Sequence, residues 1–282
     1  MDRFFIIANG NKESIQSAID EMTSYLTAKG KRCGCVNGYV NKDDVPEDVE
    51  CVMVLGGDGT LLRASRELME RDCAFIGVNF GHLGFLADVE KDGIIEMLDR
   101  LISGRFNIER RMMLKGKVIR DGSVIAEEAA LNDIVINRSG LLGIMDFTVY
   151  VNDMRLRDYR ADGMIVATPT GSTAYSMSAG GPIVKPSANL VVLTPICPHT
   201  LNTRSIVLEG EDIIEIDIKQ GKKDIDSVRA VYFDGDRYVE VLNGDRIVIR
   251  RSDISTKIIK LSSVSFLEIL GRKMSSNEDS KA

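Results

Sequence analysis

Short apolar runs alternate with longer amphipathic stretches in the N-terminal part of the chain. Phe4 to Ala8 is an unbroken apolar run ended by Asn9-Gly10, which predicts a strand. From Ser14 to Lys29 the apolar residues Ile15, Ala18, Ile19, Met22, Tyr25 and Leu26 recur at helical spacing, with Gly30 as a stop. Cys51 to Leu55 and Ala74 to Asn79 are further strand-like runs, while Leu61 to Glu70 and Gly93 to Ile102 predict helices. Asn41 to Glu50 is polar, holds Pro46 and reads as a connector, and Gly81-His-Leu-Gly84 reads as a loop. Strands that alternate with helices predict an α/β domain, a Rossmann-like open parallel sheet.

Beyond Arg105 the pattern shortens. Met113–Arg120, Ile134–Asn137, Asp146–Asn152, Met164–Thr168, Leu190–Leu193, Ile213–Ile218, Val228–Phe233 and Ile247–Arg250 read as strands. Asp121-Gly122, Ser139-Gly140, Asn152-Asp153, Gly221, Asp234-Gly235 and Asn243-Gly244 separate them as turns. This spacing predicts an all-β domain of the β-sandwich type. Val264 to Lys273 regains a helical pattern, and Ser275 to Ala282 is a polar, frayed tail. The expected organisation is an α/β domain over residues 1–104, a β-sandwich domain over 105–260, and a terminal helix with its tail over 261–282.

Composition narrows the function classes. The chain has 282 residues, 44% apolar and 28% charged, which gives ample core and excludes a disordered chain. No stretch approaches the roughly 20 apolar residues that cross a bilayer. The opening Met1-to-Gly10 segment has too short an apolar run for a secretion signal, so a cytoplasmic protein is expected. Against 36 Lys and Arg stand 42 Asp and Glu, a net charge of −6 with no basic stripe, which argues against nucleic-acid and anionic-membrane partners. The five cysteines (Cys33, Cys35, Cys51, Cys73, Cys197) are odd in number and scattered, so no disulfide framework is expected. Only His82 and His199 are present, too few for a His-rich zinc site. His199, beside Pro198, reads as a packed structural residue, and Glu109-Arg-Arg111 as a solvated turn.

Three segments carry candidate chemistry. In Val52-Met-Val-Leu-Gly56-Gly57-Asp58-Gly59-Thr60 a buried strand runs into three glycines and a carboxylate, then a helix start with Thr60 as a potential cap. Glycines allow close backbone approach, and a helix N-terminus offers free N–H groups to an anion. A carboxylate among those donors suits a base that takes a proton from an attacking hydroxyl, or a group that reaches phosphate through Mg²⁺. The same residues also suit a plain Asp-Gly turn. The segment is neither a Walker A loop nor GxGxxG. In the second segment, Asp162-Gly163 to Pro182, an apolar strand feeds a tract of Ser, Thr and Gly around Tyr175. Small side chains, hydroxyls and one aromatic face suit a flat nucleoside; the other reading is a surface loop. The absence of G-x-S-x-G there argues against a serine hydrolase. In the third, Asn132-Asp133 interrupts an apolar strand, where an amide beside a carboxylate suits paired sugar hydroxyls; a bulge or turn is the alternative.

In this order and at roughly this spacing, Gly57-Asp58-Gly59, Asn132-Asp133 and the Thr168–Pro182 tract resemble the ATP-dependent NAD kinases. The likeness runs from the first strand through Pro198-His199-Thr200-Leu201 to the terminal helix. The GGDG element is shared with diacylglycerol and sphingosine kinases and resembles a phosphofructokinase loop, whereas the Thr-Pro-Thr-Gly-Ser-Thr-Ala-Tyr tract is selective for NAD kinases. The resemblance implies that the terminal helix returns to the α/β domain and that the protein is a homodimer or homotetramer with a site between domains. It implies Asp58 as the base for the adenosine 2′-hydroxyl of NAD, Gly57 and Gly59 at the phosphates, and Arg63 close to the dinucleotide. Asn132 and Asp133 would bind ribose and adenine groups, Arg160 and Asp162 would line the nicotinamide side, and Thr173, Ala174, Tyr175, Ser176, Met177 and Ser178 would wrap the adenosine. ATP and NAD would be the substrates, with Mg²⁺ held through the ATP phosphates and Asp58 rather than by dedicated ligands. Three positions depart from the family pattern. Asp133 stands where many relatives have Glu, Gly143 where some have His, and Asp236 where others have Gln. A lipid kinase with the same glycine-rich loop, or a non-catalytic NAD(P) sensor, are the competing readings.

Overall fold

The N-terminal apolar run becomes β1 (Arg3–Ala8), an inner strand of a parallel sheet. The structure is a computed structural model and describes residues 1–10, 13–80, 84–139, 144–200, 202–220, 228–261 and 264–279. The chain forms two compact units, residues 1–110 with 256–282, and residues 111–255.

In the first unit β1 is followed by α1 (Glu13–Ala28), β2 (Arg32–Asn37), β3 (Cys51–Leu55), α2 (Asp58–Glu67), β4 (Ala74–Asn79), β5 (Ala87–Glu90) and α3 (Ile94–Ile102). The strands pair in parallel in the order β2-β1-β3-β4, with β5 beside β4. β3 is buried along its whole length, as an inner strand covered on both faces requires. The predicted stripe of α1, now Ile15, Ala18, Ile19, Met22 and Leu26, packs with Phe4, Met53 and Ile76 of the sheet and Leu98 of α3. β2 and β5 were not evident in the sequence. β2 is half-exposed, so it lacks an apolar run. β5 has only four residues.

The second unit is built from β6 (Asn107–Arg120), β7 (Ser123–Ala130), β8 (Asp133–Ser139), β9 (Met145–Val151), β10 (Met154–Ala161), β11 (Gly163–Ala167), α4 (Tyr175–Ser178), β12 (Leu190–Ile196), β13 (Ile206–Glu209), β14 (Ile214–Lys219), β15 (Val228–Phe233), β16 (Arg237–Val241) and the first part of β17 (Arg246–Lys260). One sheet has the antiparallel order β13-β12-β11-β8-β15-β16. A second layer holds β10-β9-β14-β17 with the β6–β7 hairpin. Apolar residues of both layers, among them Ile134, Ile136, Phe147, Met164, Ile216 and Phe233, form one core. The hairpin turns are set by residue chemistry. Asp121 and Gly122 (φ 50° and 76°) and Asn152 and Asp153 (φ 49° and 63°) adopt the left-handed conformation that two-residue hairpin loops need.

Past residue 255, Lys257 and Ile258 of β17 pair in parallel with Ala74 and Phe75 of β4, and α5 (Phe266–Asp279) follows. The units therefore divide inside the long strands β6 and β17, whereas the sequence reading put boundaries at residues 104 and 260; the polar residues at each division (Glu109 to Arg111, Arg250 to Asp253) continue the strand instead of forming a loop. Arg111, expected in a solvated turn, is instead buried within β6 and donates to Thr170 Oγ1 at 3.4 Å.

The side-chain alternation of β8 positions the site. Ile134 and Ile136 enter the core between the layers. Val135 faces the other side, in a second cluster with Ile165, Ala167, Val192 and Ile196 against Ala179, Val184 and Tyr232. By the two-residue period Asp133 and Asn137 share that outer face.

Candidate functional site

The glycine-rich turn belongs to the first unit. The buried strand β3 delivers Gly56 and Gly57, and α2 begins at Asp58, earlier than the predicted Leu61. Gly57 occupies the N-cap position without a side-chain hydrogen bond. Thr60, expected as the cap, lies inside the first turn, its N–H bonded to the Gly57 carbonyl at 3.0 Å. A Cβ on Gly56 would come within 2.8 Å of Thr60 Oγ1, so glycine there lets the threonine tuck under the turn. Gly57 and Gly59 have no atom within 4 Å of where a Cβ would stand, so this backbone is open to a ligand. The Asp58 carboxylate is held by backbone amides. Its Oδ2 accepts the Phe85 N–H at 2.8 Å and its Oδ1 accepts the Leu86 N–H at 3.2 Å. A Cβ on Gly84 would lie 2.5 Å from the Asp58 carboxyl carbon, so a side chain there would displace the carboxylate. Arg63, half-buried on α2, stacks over the Tyr39 ring at 5.6 Å.

The second unit holds a cavity of about 330 Å³ on the outer face of the six-stranded sheet. It is lined by Asn132, Asp133, Val135, Asn137, Ala174, Tyr175, Tyr232, Asp234 and Gly235. The Ser/Thr/Gly tract builds its roof by folding back on the Asn132 turn. Thr168 donates its hydroxyl to the Leu131 carbonyl at 2.6 Å and its N–H to the Asn132 carbonyl at 2.8 Å. Gly171 lies against the Asn132 backbone so closely that any Cβ would overlap it. Ser172 donates to the Pro169 carbonyl at 2.7 Å and accepts the Val184 N–H at 2.9 Å. These hydroxyls serve the fold, not a ligand.

Two carboxylates meet at the cavity. Asp234 (φ 50°) turns its carboxylate into the backbone of the facing turn, accepting the N–H groups of Leu131 at 2.9 Å, Asn132 at 2.7 Å and Asp133 at 3.3 Å. Asp133 is buried, and loss of water, with the Asp234 charge second, raises its carboxyl to about 7. Burial also raises the Tyr175 phenol, helped by the nearby Cys197, Asp162 and Asp133.

Of the residues expected in the second unit, the structure brings Asn132, Asp133, Ala174 and Tyr175 into this cavity. The others do not line it. Ser176 is buried with its hydroxyl on Thr194 at 3.0 Å, Thr173 bonds the Thr170 carbonyl at 3.2 Å, and Met177 and Ser178 are exposed. Asp162 receives Arg138 Nη2 at 2.8 Å and Nε at 3.1 Å on one oxygen. Arg160 is exposed and donates to Asp146 at 3.1 Å. His199, read as a packed residue, has an exposed side chain; its backbone N–H bonds the Arg160 carbonyl at 2.8 Å. Asp236 donates its N–H to the Phe233 carbonyl at 3.2 Å, and Gly143 lies outside the described residues. Sequence reasoning missed Asn137 and Tyr232, which looked like ordinary strand positions, Gly84, which ended a loop, and Phe85 and Leu86, which follow it without a signal of their own. It took Asp234-Gly235 for a turn only.

The comparisons with known proteins agree along the chain. Residues 13–106 match the ATP-NAD kinase N-terminal domain and residues 131–261 the ATP-NAD kinase C-terminal domain. A protein named NAD kinase from Lachnospira eligens is 45% identical, the match covering 97% of this chain and 100% of that protein. Its namesake from Lachnoclostridium phytofermentans is 40% identical, covering 97% of this chain and 99% of its own. Among solved structures, the crystal structure of yeast NADH kinase complexed with NADH shares the fold at a TM-score of 0.84 and 21% identity, covering 97% of this chain and 88% of that one. An NAD kinase from Archaeoglobus fulgidus in complex with ATP does so at 0.73 and 23% identity, covering 92% and 94%. This chain therefore belongs to the ATP-NAD kinase family.

Proposed function

We propose that this chain transfers the γ-phosphoryl group of ATP to the adenosine 2′-hydroxyl of NAD, giving NADP and ADP. The observation that carries the reading is Asp58: a carboxylate on the first turn of a helix, in a glycine-rich turn open to a ligand, fixed by the amides of Phe85 and Leu86. A ribose hydroxyl is a weak nucleophile, and catalysis consists of alignment, removal of its proton and neutralisation of phosphate charge. The 2′-oxygen attacks the γ-phosphorus, the bond from that phosphorus to the β-bridging oxygen breaks, and ADP leaves with the electron pair. The hydroxyl proton passes to Asp58. Each Asp58 oxygen accepts one amide N–H and retains a lone pair for this.

The exposed Gly57 and Gly59 at the start of α2 take the phosphate end, with Arg63 beside it. Asn132 and Asp133 hold ribose and adenine groups, and Tyr175 with Ala174 supplies the flat wall for the adenosine. Arg160 and Asp162 serve the nicotinamide side, and Thr173 and Ser176 to Ser178 shape the tract around the adenosine. Among the described residues no group of three or more His, Cys, Asp or Glu side chains is placed to hold a metal. Mg²⁺ held through the ATP phosphates and the Asp58 carboxylate would offset charge on the phosphate oxygens. The protein acts in the cytoplasm as a homodimer or homotetramer.

The test is an assay that detects only NADP. Asp58→Asn should lower turnover by about 10²–10⁴-fold with an unchanged circular dichroism spectrum. A folded variant with near-wild-type turnover would remove Asp58 from the role.

A further inference from the structure

The Asp58 carboxylate is aimed by groups that the reaction itself does not use, and they lead to the C-terminal helix. Phe85 supplies the shorter of the two amide bonds to Asp58, 2.8 Å. Its ring is half-buried and held by α5. The Phe266 ring lies 6.1 Å from it, centroid to centroid, and the Lys273 ammonium sits 4.2 Å over its face. Phe266, Ile269, Leu270 and Lys273 are the half-buried stripe of α5 at helical spacing, while Leu267 between them is exposed. The start of α5 is fixed by a reciprocal cap: the Ser265 N–H donates to Glu268 Oε2 at 2.7 Å, and the Glu268 N–H donates to Ser265 Oγ at 3.2 Å. Capping sets the phase of the helix and therefore where Phe266 and Lys273 point. Gly84 completes the arrangement, since its missing Cβ leaves the space that the carboxylate occupies.

We propose that α5 is a working part of the phosphoryl-transfer apparatus: Phe266 and Lys273 are positioning residues that clamp the Phe85 ring and through its amide aim the Asp58 carboxylate. An aromatic ring under a cation and beside a second ring has few orientations, so the peptide that carries it is fixed as well. This rests on the reading of Asp58 as the base. Misplacement of a reacting group by about 1 Å costs up to 10²-fold in rate without weakening ground-state binding, so the clamp acts on kcat rather than KM.

The test uses the full chain and steady-state kinetics with NAD and ATP. Phe266→Ala and Lys273→Met should each lower kcat on the order of 10-fold, with both KM values within about twofold of wild type. Lys273→Arg keeps a cation over the ring and should restore kcat. In an Asp58→Asn background neither change should cost anything further, because the group they aim is gone; a role in folding alone would multiply the two losses. Wild-type kcat in Lys273→Met, or fully multiplicative losses with Asp58→Asn, overturns the inference. If Phe266→Ala does not fold, the Lys273 variants decide. A crystal structure of Lys273→Met tests the aim without activity: the Phe85 N–H to Asp58 contact should lengthen beyond about 3.5 Å, and an unchanged 2.8 Å contact overturns the clamp. A wild-type chain that forms no NADP defeats the reading of Asp58 and leaves the crystallographic test of the clamp standing.

Discussion

Asp133 combines deep burial with a second carboxylate close by, and that fixes how it titrates. Burial and Asp234 hold its carboxyl at about 7, against 3.8 for a free side chain. Between those values the folded chain keeps a proton that the unfolded chain has lost. Stability from this group is therefore complete below the unfolded value, falls as pH rises toward 7 and stays low above it. Asp133→Asn, which cannot ionise, should raise stability at pH 8 by an amount on the order of a few kcal/mol at most, seen as a higher melting midpoint. The gain should vanish toward pH 4. Thermal melts of both proteins across that range check this, and a difference independent of pH would contradict it. The same variant loses an acceptor for ribose hydroxyls and should raise KM for NAD. Asn132-Asp133 stood out in the sequence because polar residues broke an apolar strand. Asn137 did not, because an asparagine at the end of a strand is ordinary until the fold places it on the face of Val135 and beside the cavity. Asp234 was hidden for a similar reason: its turn conformation was legible, but the turn whose amides it binds lies about a hundred residues earlier.

Elements with a strong internal period were legible, and those defined by their neighbours were not. α1 and β3 carry their own signal, a buried stripe and an unbroken apolar run. β10 is mostly exposed and carries four charged residues, and β16 pairs with the sheet through β15 only, so neither shows a run of apolar residues. The start of α2 was placed too late because glycine argues against helix, whereas here Gly59 serves the first turn without a side chain that would cover the amides. The Thr168–Pro182 tract read as a ligand-wrapping element, and its buried hydroxyls tie it to the Leu131 carbonyl just before β8, to itself and to Thr194 of β12. Gly171 is the tightest point of that tie. Gly171→Ala would push the tract off the Asn132 carbonyl and destabilise the chain by about 1–3 kcal/mol. It should also raise KM for NAD, since Ala174 and Tyr175 move with the tract. Urea unfolding and initial rates check both effects; a variant with wild-type midpoint and KM would show that the contact relaxes freely.

The whole molecule uses one chain to supply two kinds of site. The α/β unit offers the exposed glycine-rich turn and the aimed carboxylate, and the β-rich unit offers the cavity with its aromatic wall. The change from helix-strand alternation to closely spaced strands announced this division in the sequence. Its positions were less legible, because β6 and β17 run on as strands through polar residues where the chain leaves one unit for the other. The second unit is contiguous over residues 111–255 and closes its own core, with apolar residues of two layers packed on each other and a further cluster beneath the Ser/Thr/Gly tract. A contiguous segment with its own core folds as a unit. A fragment spanning residues 107–255 should therefore unfold cooperatively on heating and give a calorimetric signal on titration with NAD. It should form no NADP, because Asp58 is not in it. The α/β unit is discontinuous: it needs Lys257 and Ile258 to pair beside β4, and α5 to hold Phe85. A fragment ending at residue 110 should accordingly melt earlier than the full chain or fail to fold. A fragment of residues 107–255 without a cooperative transition would mean that the β-rich core depends on the rest of the chain, and the assignment of the cavity proposed for the dinucleotide to one self-sufficient unit would fall with it.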